Sequence, residues 1–333
     1  MCNNTSVSIL VPVYGVEKFI ERCSRSLFEQ TYEHLEYIFV DDCSPDNSIG
    51  ILNQVLEDYP HRKPHVRIVR HEKNRGLAAA RNTAVDNCGT EFLMHVDSDD
   101  YIDKDIIEKC VCKQKSADSD IVFSDFKKHS FQYVEIERNT DVGDTHEMTN
   151  SILLAKSRHN LVGNLIRTRL YKDNGISAIE GINMGEDFYV MPKLVYQSYK
   201  LGFIHDSYYH YVFQNTNSYA FTYSRGKSRQ KLVVYDGLQK YFAKDPLLSR
   251  SLNLTVKKSI AKTALKCIKA NDKENFNELL TLLKNISKGS NSSVTYGQKI
   301  AFFLGCSYLG RLYVSAAYKV KGFNRFVKSK IKN

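Results

Sequence analysis

The chain has 333 residues, 42% hydrophobic and 25% charged, which suits one large domain or two smaller ones and excludes global disorder. Its net charge of +10 is unevenly placed: from Arg225 to the end, 23 Lys and Arg face 5 Asp and Glu, whereas residues 1–224 carry 24 against 32. A basic rear joined to an acidic-leaning front points to an anionic partner for the tail, a membrane surface or a nucleic acid. No basic and apolar leader opens the sequence, so no signal peptide is expected. The eight cysteines are scattered, and the spacing of Cys110 and Cys112 suits neither zinc nor CxxC redox chemistry, so reduced cytosolic thiols are expected.

Residues 1–125 alternate strand and helix signals in the rhythm of βαβ units. SVSILVPVY reads as a buried strand, followed by a helix over residues 16–30 with Phe19, Ile20, Cys23 and Leu27 on one face. LEYIFVDD is a second strand. Ser44-Pro45-Asp46 then predicts a helix start, with Ser44 as N-cap and Pro45 at the first helical position. VRIVRH is a third strand, and Gly76 to Asn87 an Ala-rich helix with Gly89 as its stop signal. EFLMHV and IVFSDF are the fourth and fifth strands. Residues 126–150 read as a polar insertion or flap. NMGEDFYVMPKLVYQSYKLG reads as a loop entering an apolar helix, and the aromatic run SYYHYVF follows it. From Arg225 the pattern is helical and basic, with a linker at SKGSNSS, residues 287–293.

Near-continuous apolar strands indicate a parallel sheet buried on both faces, and ligands gather beyond the carboxyl ends of such strands. The expected crevice is therefore bounded by Pro12-Val13-Tyr14, Asp41-Asp42, His71 to Arg75 and Asp97 to Asp100. The carboxylates of Asp97, Asp99 and Asp100 repel one another unless a cation or many donors lie nearby. Carboxylates and water suit Mg2+ or Mn2+, ions that commonly bridge to phosphates. Asp97-Ser98-Asp99 thus reads as half of a metal site whose other half is a diphosphate, the alternative being a solvated turn.

PVYGVEKFIERCSRSLFEQTY, VDDCSPDNS, NRGLAAARN and VDSDDYI, in this order, resemble the donor-binding half of a family 2 glycosyltransferase of the GT-A fold, and GEDF extends the likeness to about residue 224. The resemblance implies an α/β fold, a Rossmann-like, mostly parallel sheet flanked by helices. Residues 1–125 would be the nucleotide-sugar-binding half, 126–224 the acceptor and catalytic half, and 225–333 a helical basic region. It implies that Pro12, Val13 and Tyr14 line the base pocket of a UDP-sugar and that Asp42 contacts the uracil, with Asp41 beside it. Arg81 would order the donor side, the alternative being an ordinary ion pair. Asp97 and Ser98 would lie against the nucleotide sugar, and Asp97 and Asp99 would ligate Mn2+ or Mg2+. The Glu186-Asp187 pair falls where the family carries its catalytic base, with Asp187 favoured; the alternative is a helix cap. Some relatives ligate metal with a His at the position of His210, whose alternative is a packing role. Cys43 replaces the family's usual Gly, and Asn164 a common Lys.

The implied activity is inverting, metal-dependent transfer of a sugar to a hydroxyl of a growing, lipid-linked surface polysaccharide such as capsule. Ile300 to Tyr318 is apolar but broken by Arg311, and KVKGFNRFVKSKIK carries six cations, a pattern that suits an interfacial helix on anionic lipid better than a span. A cytoplasmic enzyme on the inner face of the plasma membrane is expected. The competing readings are a nucleotidyltransferase, an inactive donor-binding relative and a nucleic-acid-binding module. The tail shows no nucleic-acid-binding motif, and PVYGVEKF is not a phosphate loop.

Overall fold

The structure, a computed structural model, describes residues 5–269 apart from 131 and 214–223, together with 272, 274 and 279. The SKGSNSS linker and the Ile300–Lys332 tail lie outside the described residues. The chain divides into two compact units, Met1–Thr222 with Gln230–Leu238, and Tyr223–Arg229 with Gln239–Asn333.

The first unit begins with β1 (Val7–Val13), buried along its whole length. Helix α1 (Ile20–Phe28) buries Ile20, Cys23, Leu27 and Phe28 on one face. Strand β2 (Leu35–Asp41), helix α2 (Ser48–Glu57) and strand β3 (Val66–Arg70) follow. Helix α3 (Leu77–Asp86) buries Ala78, Ala79, Ala80 and Ala84; methyl side chains let it lie close over β1 and β2. Strands β4 (Phe92–His95) and β5 (Tyr101–Ile102), helix α4 (Ile106–Ala117) and strand β6 (Ile121–His129) come next. Residues 126–150, expected to be irregular, instead extend β6, form the hairpin strand β7 (Val134–Glu137) and enter helix α5 (Thr145–Leu153). Asp144 caps α5 by accepting from the Glu147 amide at 2.7 Å. The unit continues with β8 (Leu165–Arg167), α6 (Arg169–Lys172), α7 (Glu186–Gln197) and β9 (Leu201–Val212). The aromatic run is therefore strand.

The sheet order is β3-β2-β1-β4-β8-β6-β9-β5, with β7 paired to β6. Strands β3, β2, β1 and β4 are parallel, β8 is antiparallel to both its neighbours, and β6 and β9 are parallel. The β6–β9 register slips after Ser124, so that His205, Asp206 and Ser207 form an excursion on β9. A core of Ile9, Val11, Leu27, Phe28, Phe39, Met94 and Ile107 lies between one sheet face and its helices. The carboxyl ends of β1, β2 and β4 open at one edge, which is where the site forms.

The second unit contains α9 (Pro246–Lys269), which buries Leu248, Leu252, Val256 and Ile260 at helical spacing. Before it, α8 (Arg225–Tyr241) gives its segment Gln230–Leu238 to the first unit. Among the described residues no helix is long and apolar enough to cross a membrane.

Candidate active site

The turn after β4 sends its three carboxylates in different directions. The Asp100 amide donates to the Asp97 carbonyl at 3.0 Å and closes the turn. Asp100 is 1% exposed and accepts from the Tyr209 hydroxyl at 2.6 Å and the Val212 amide at 2.8 Å. Burial, then Asp99 and Asp97, raises its pKa well above the carboxylate range. Asp100 is thus the pin that fastens the turn to β9, and Tyr209 also accepts from the Asp97 amide. Ser98 is buried, whereas Asp99 is partly exposed, with its carbonyl held by Arg22 Nη2 at 2.8 Å.

Asp97 turns toward α3. Arg81 Nη2 donates to Asp97 Oδ1 at 2.9 Å, while Nη1 donates to Asp187 Oδ1 at 2.6 Å. Glu186 Oε1 lies 3.9 Å from Nη2. One planar fork therefore joins the turn after β4 to the first turn of α7, a bridge that Lys could not make with the same geometry. Arg81 is an ion pair, as one reading of the sequence had it, but its partners are the site's own carboxylates. Burial raises Asp97 to about 6, against the pull of Arg81 and with Asp99 and Asp187 adding to the rise. Burial and Asp187 likewise push Glu186 up. The Glu186-Asp187 pair follows the N-cap Gly185, which sits at φ 90°, so it occupies the first turn and is not the cap. The positive end of the helix favours charge there.

The far side of the crevice is built on β2. Asp42, 3% exposed, accepts from His71 Nδ1 at 2.7 Å, the Arg75 amide at 2.8 Å and the Gly76 amide at 2.7 Å. Its carboxylate thereby shapes the loop 71–76. Asp41 accepts from the Ser44 amide at 2.9 Å. Cys43 adopts φ 60°, the left-handed conformation that explains the family's usual glycine here. Pro12 and Val13 lie within β1 and face Val40 and Asp41, with Val13 in the core, so only Tyr14 presents an exposed side chain. Any contact of Val13 with a base would therefore be through its backbone.

The helix start expected at Ser44 falls at Ser48. The polar groups of 44–46 serve another loop instead: Ser44 Oγ accepts from the Gly15 amide at 2.8 Å, and Asp46 from the Glu17 amide at 3.0 Å.

His210, expected as a third ligand, lies among side chains of its own sheet. Its Nε2 lies 2.8 Å from Asp103 Oδ1, its Nδ1 lies 2.8 Å from His129 Nε2, and its ring stacks on Tyr101 at 4.1 Å. Both nitrogens have partners, so His210 packs and hydrogen-bonds within β5, β6 and β9. Asn164 is buried; its Nδ2 donates to the Asn160 carbonyl at 2.8 Å.

The remaining oxygens suit a divalent cation. Asp97 and Asp99 are hard donors, and their mutual repulsion, part of what raises Asp97, is what a cation relieves. Among the described residues no cluster of three or more His, Cys, Asp or Glu could hold a metal. Two carboxylates would leave the other positions around such an ion to water or phosphate oxygens.

Sequence reasoning missed Asn183. Its Oδ1 accepts from the Ala78 amide at 3.1 Å, and its side chain lies so close to Gly76 that an added Cβ would sit 2.4 Å from it. Asn82 exchanges two bonds with the backbone of Ala178, each 2.9 Å. These bonds staple the loop before α7 onto α3. The only signal available was an Asn two residues before GED.

Residues 8–185, more than half of the chain, match the family described as "Glycosyl transferase family 2". The chain belongs to that family. It is similar to the uncharacterized glycosyltransferase EpsJ of Bacillus subtilis, 38% identical over 37% of this chain and 35% of that protein. It is similar to the glycosyltransferase GlyA of Streptococcus pneumoniae, 27% identical over 63% of this chain and 31% of that one. The Staphylococcus aureus poly(ribitol-phosphate) beta-N-acetylglucosaminyltransferase TarS is 28% identical over 62% of this chain and 35% of its own length. The chain thus spans about a third of these curated relatives. The solved structure of TarS 1-349 in complex with UDP-GlcNAc overlays with TM-score 0.58 at 20% identity, covering 86% of this chain and 92% of that one. The fold is accordingly the GT-A fold.

Proposed function

We propose that this chain is an inverting glycosyltransferase that moves a sugar from a UDP-sugar to a hydroxyl of a growing surface polysaccharide. The observation that carries the reading is the Arg81 fork, which holds Asp187 beside the Asp97–Asp100 turn, 2.6 and 2.9 Å on its two sides. A TarS structure holding UDP-GlcNAc supports a UDP-sugar donor.

The chemistry follows from two kinds of carboxylate. Asp187, anchored by one oxygen at the positive end of α7, takes the proton of the acceptor hydroxyl. The acceptor oxygen bonds to the anomeric carbon as the bond from that carbon to the diphosphate oxygen breaks. The nucleoside diphosphate leaves with the electron pair, and the configuration inverts. Mn2+ or Mg2+ held by Asp99 and Asp97 would supply positive charge at the leaving diphosphate. Tyr14 and Asp41 border the base end, and Asp42 keeps loop 71–76 in shape. Burial, and then Asp187, raises the pKa of Glu186, which disfavours a second charge beside Asp187. A lipid-linked acceptor, a cytoplasmic location and docking of the Ile300–Lys332 tail on anionic lipid belong to the same proposal.

The test is UDP release from a panel of UDP-sugars, with acceptor glycans and Mn2+, in wild type, Asp99→Asn and Asp187→Asn. Both variants are expected to lose transfer by about 10²-fold or more. Asp99→Asn should also weaken UDP–Mn2+ binding, and Asp187→Asn should leave it intact. Transfer at the wild-type rate by Asp187→Asn would remove the base assignment.

A further inference from the structure

We propose that His159 is an acceptor-binding residue: its imidazole hydrogen-bonds a hydroxyl of the incoming glycan and holds the attacking hydroxyl against Asp187. This rests on the reading of Asp187 as base. His159 lies in the loop between α5 and β8, and its neighbours on both sides are tied down. Arg158 donates to the Ser124 carbonyl and to Asn139 Oδ1, and its guanidinium lies 3.7 Å above the Phe126 ring. The Asn160 carbonyl is held by Asn164 at 2.8 Å. The loop therefore presents His159 from a fixed backbone.

The ring meets Phe188 edge to face, centroids 5.2 Å apart at 81°. Phe188 is the residue after Asp187, so the imidazole stands beside the first turn of α7. The Arg81 fork and Asp97 occupy one side of Asp187. An acceptor hydroxyl must reach the carboxylate from elsewhere, and His159 lies on a different element from those donor-side groups.

The ring is half-buried, yet among the described residues it makes no hydrogen bond or ion pair. Buried polar groups ordinarily have partners, and a ring still open on one side can take one from a ligand. Burial holds the imidazole below the usual His pKa, although the Asp187 carboxylate opposes this, and so favours the neutral form. A neutral imidazole offers one N–H donor and one nitrogen acceptor, the complement of a sugar hydroxyl.

The variants His159→Phe and His159→Gln separate packing from hydrogen bonding. Phe keeps an aromatic ring against Phe188, and Gln keeps a donor and an acceptor. The assay uses the full chain, UDP-GlcNAc and Mn2+, with the p-nitrophenyl hexoside that wild type glycosylates fastest. His159→Phe is expected to lower kcat/KM for the hexoside about tenfold, the worth of one hydrogen bond left unmade, and His159→Gln to recover most of it. UDP-GlcNAc hydrolysis by water and UDP binding should stay unchanged in both. Wild-type acceptor kinetics in His159→Phe, or a parallel fall in donor hydrolysis, would overturn the assignment. Asp187→Asn measured alongside keeps the two readings apart. Its retention of transfer sinks the base, whereas His159 is judged on acceptor selectivity alone.

Discussion

Replacing Arg81 by Met removes the charge on which the crevice depends. The side chain keeps much of the volume but leaves Asp97, Asp187 and Glu186 facing one another without the two bonds of 2.9 and 2.6 Å. Breaking one member out of a buried ionic cluster costs about 3–5 kcal/mol. For a unit of this size that lowers Tm by about 6–20 °C. The penalty depends on pH with a definite sign. Asp97 already stands at about 6 with Arg81 pulling it down, and Arg81 pulls Glu186 down as well. Without Arg81 both carboxyls are raised further. A raised carboxylate contributes stability in its protonated form, which is lost as pH climbs from the unfolded value near 4 through the folded one. The deficit of Arg81→Met relative to wild type should therefore be small at pH 5 and large at pH 8. Urea denaturation across that range reads it directly. Arg81→Lys should fall between the two, since one ammonium cannot fork to both carboxylates. An equal deficit at both pH values, or none, would refute the argument.

Other outcomes follow from the same coordinates. His205 bridges Asp125 at 2.9 Å and Asp141 at 2.8 Å, and the bond to Asp125 raises its pKa. Its contribution is full below the unfolded His pKa and fades as pH rises through the folded one. His205→Gln should thus lose stability to wild type at pH 6 and match it at pH 9 in urea titrations; a constant gap would contradict this. Gly76→Ala places a methyl against Asn183 at φ 87°, and is expected to cost about 1–3 kcal/mol and weaken UDP binding through the Asp42 loop. Unaltered UDP affinity by calorimetry would separate that loop from the donor. Deleting residues 300–333 should release the protein from phosphatidylserine vesicles in a salt-sensitive cosedimentation assay, and undiminished binding would end the docking proposal.

The alternation of apolar strands and amphipathic helices through residue 125 was legible because parallel strands are buried on both faces and each helix shows one apolar stripe. Arg81 was conspicuous as a cation on a helix face otherwise made of alanine. The antiparallel β8 and the β7 hairpin were not, because VEIE and LIR are short and carry no turn signal of their own. The partners of His210, Asp103 and His129, were not legible either, because strand pairing sets them and local pattern does not.

The sequence by itself determined the sheet class, the carboxylate-rich strand ends and the family, since all three rest on local pattern and spacing. Tertiary structure alone decided what each carboxylate does. Asp97, Asp99 and Asp100 are neighbours in the chain, but Asp100 answers to Tyr209, Asp97 to Arg81, and Asp187 joins them from 90 residues downstream of Asp97. Charge is additive along a sequence, whereas a hydrogen bond requires its partner within 3 Å or so, and that distance exists only after folding.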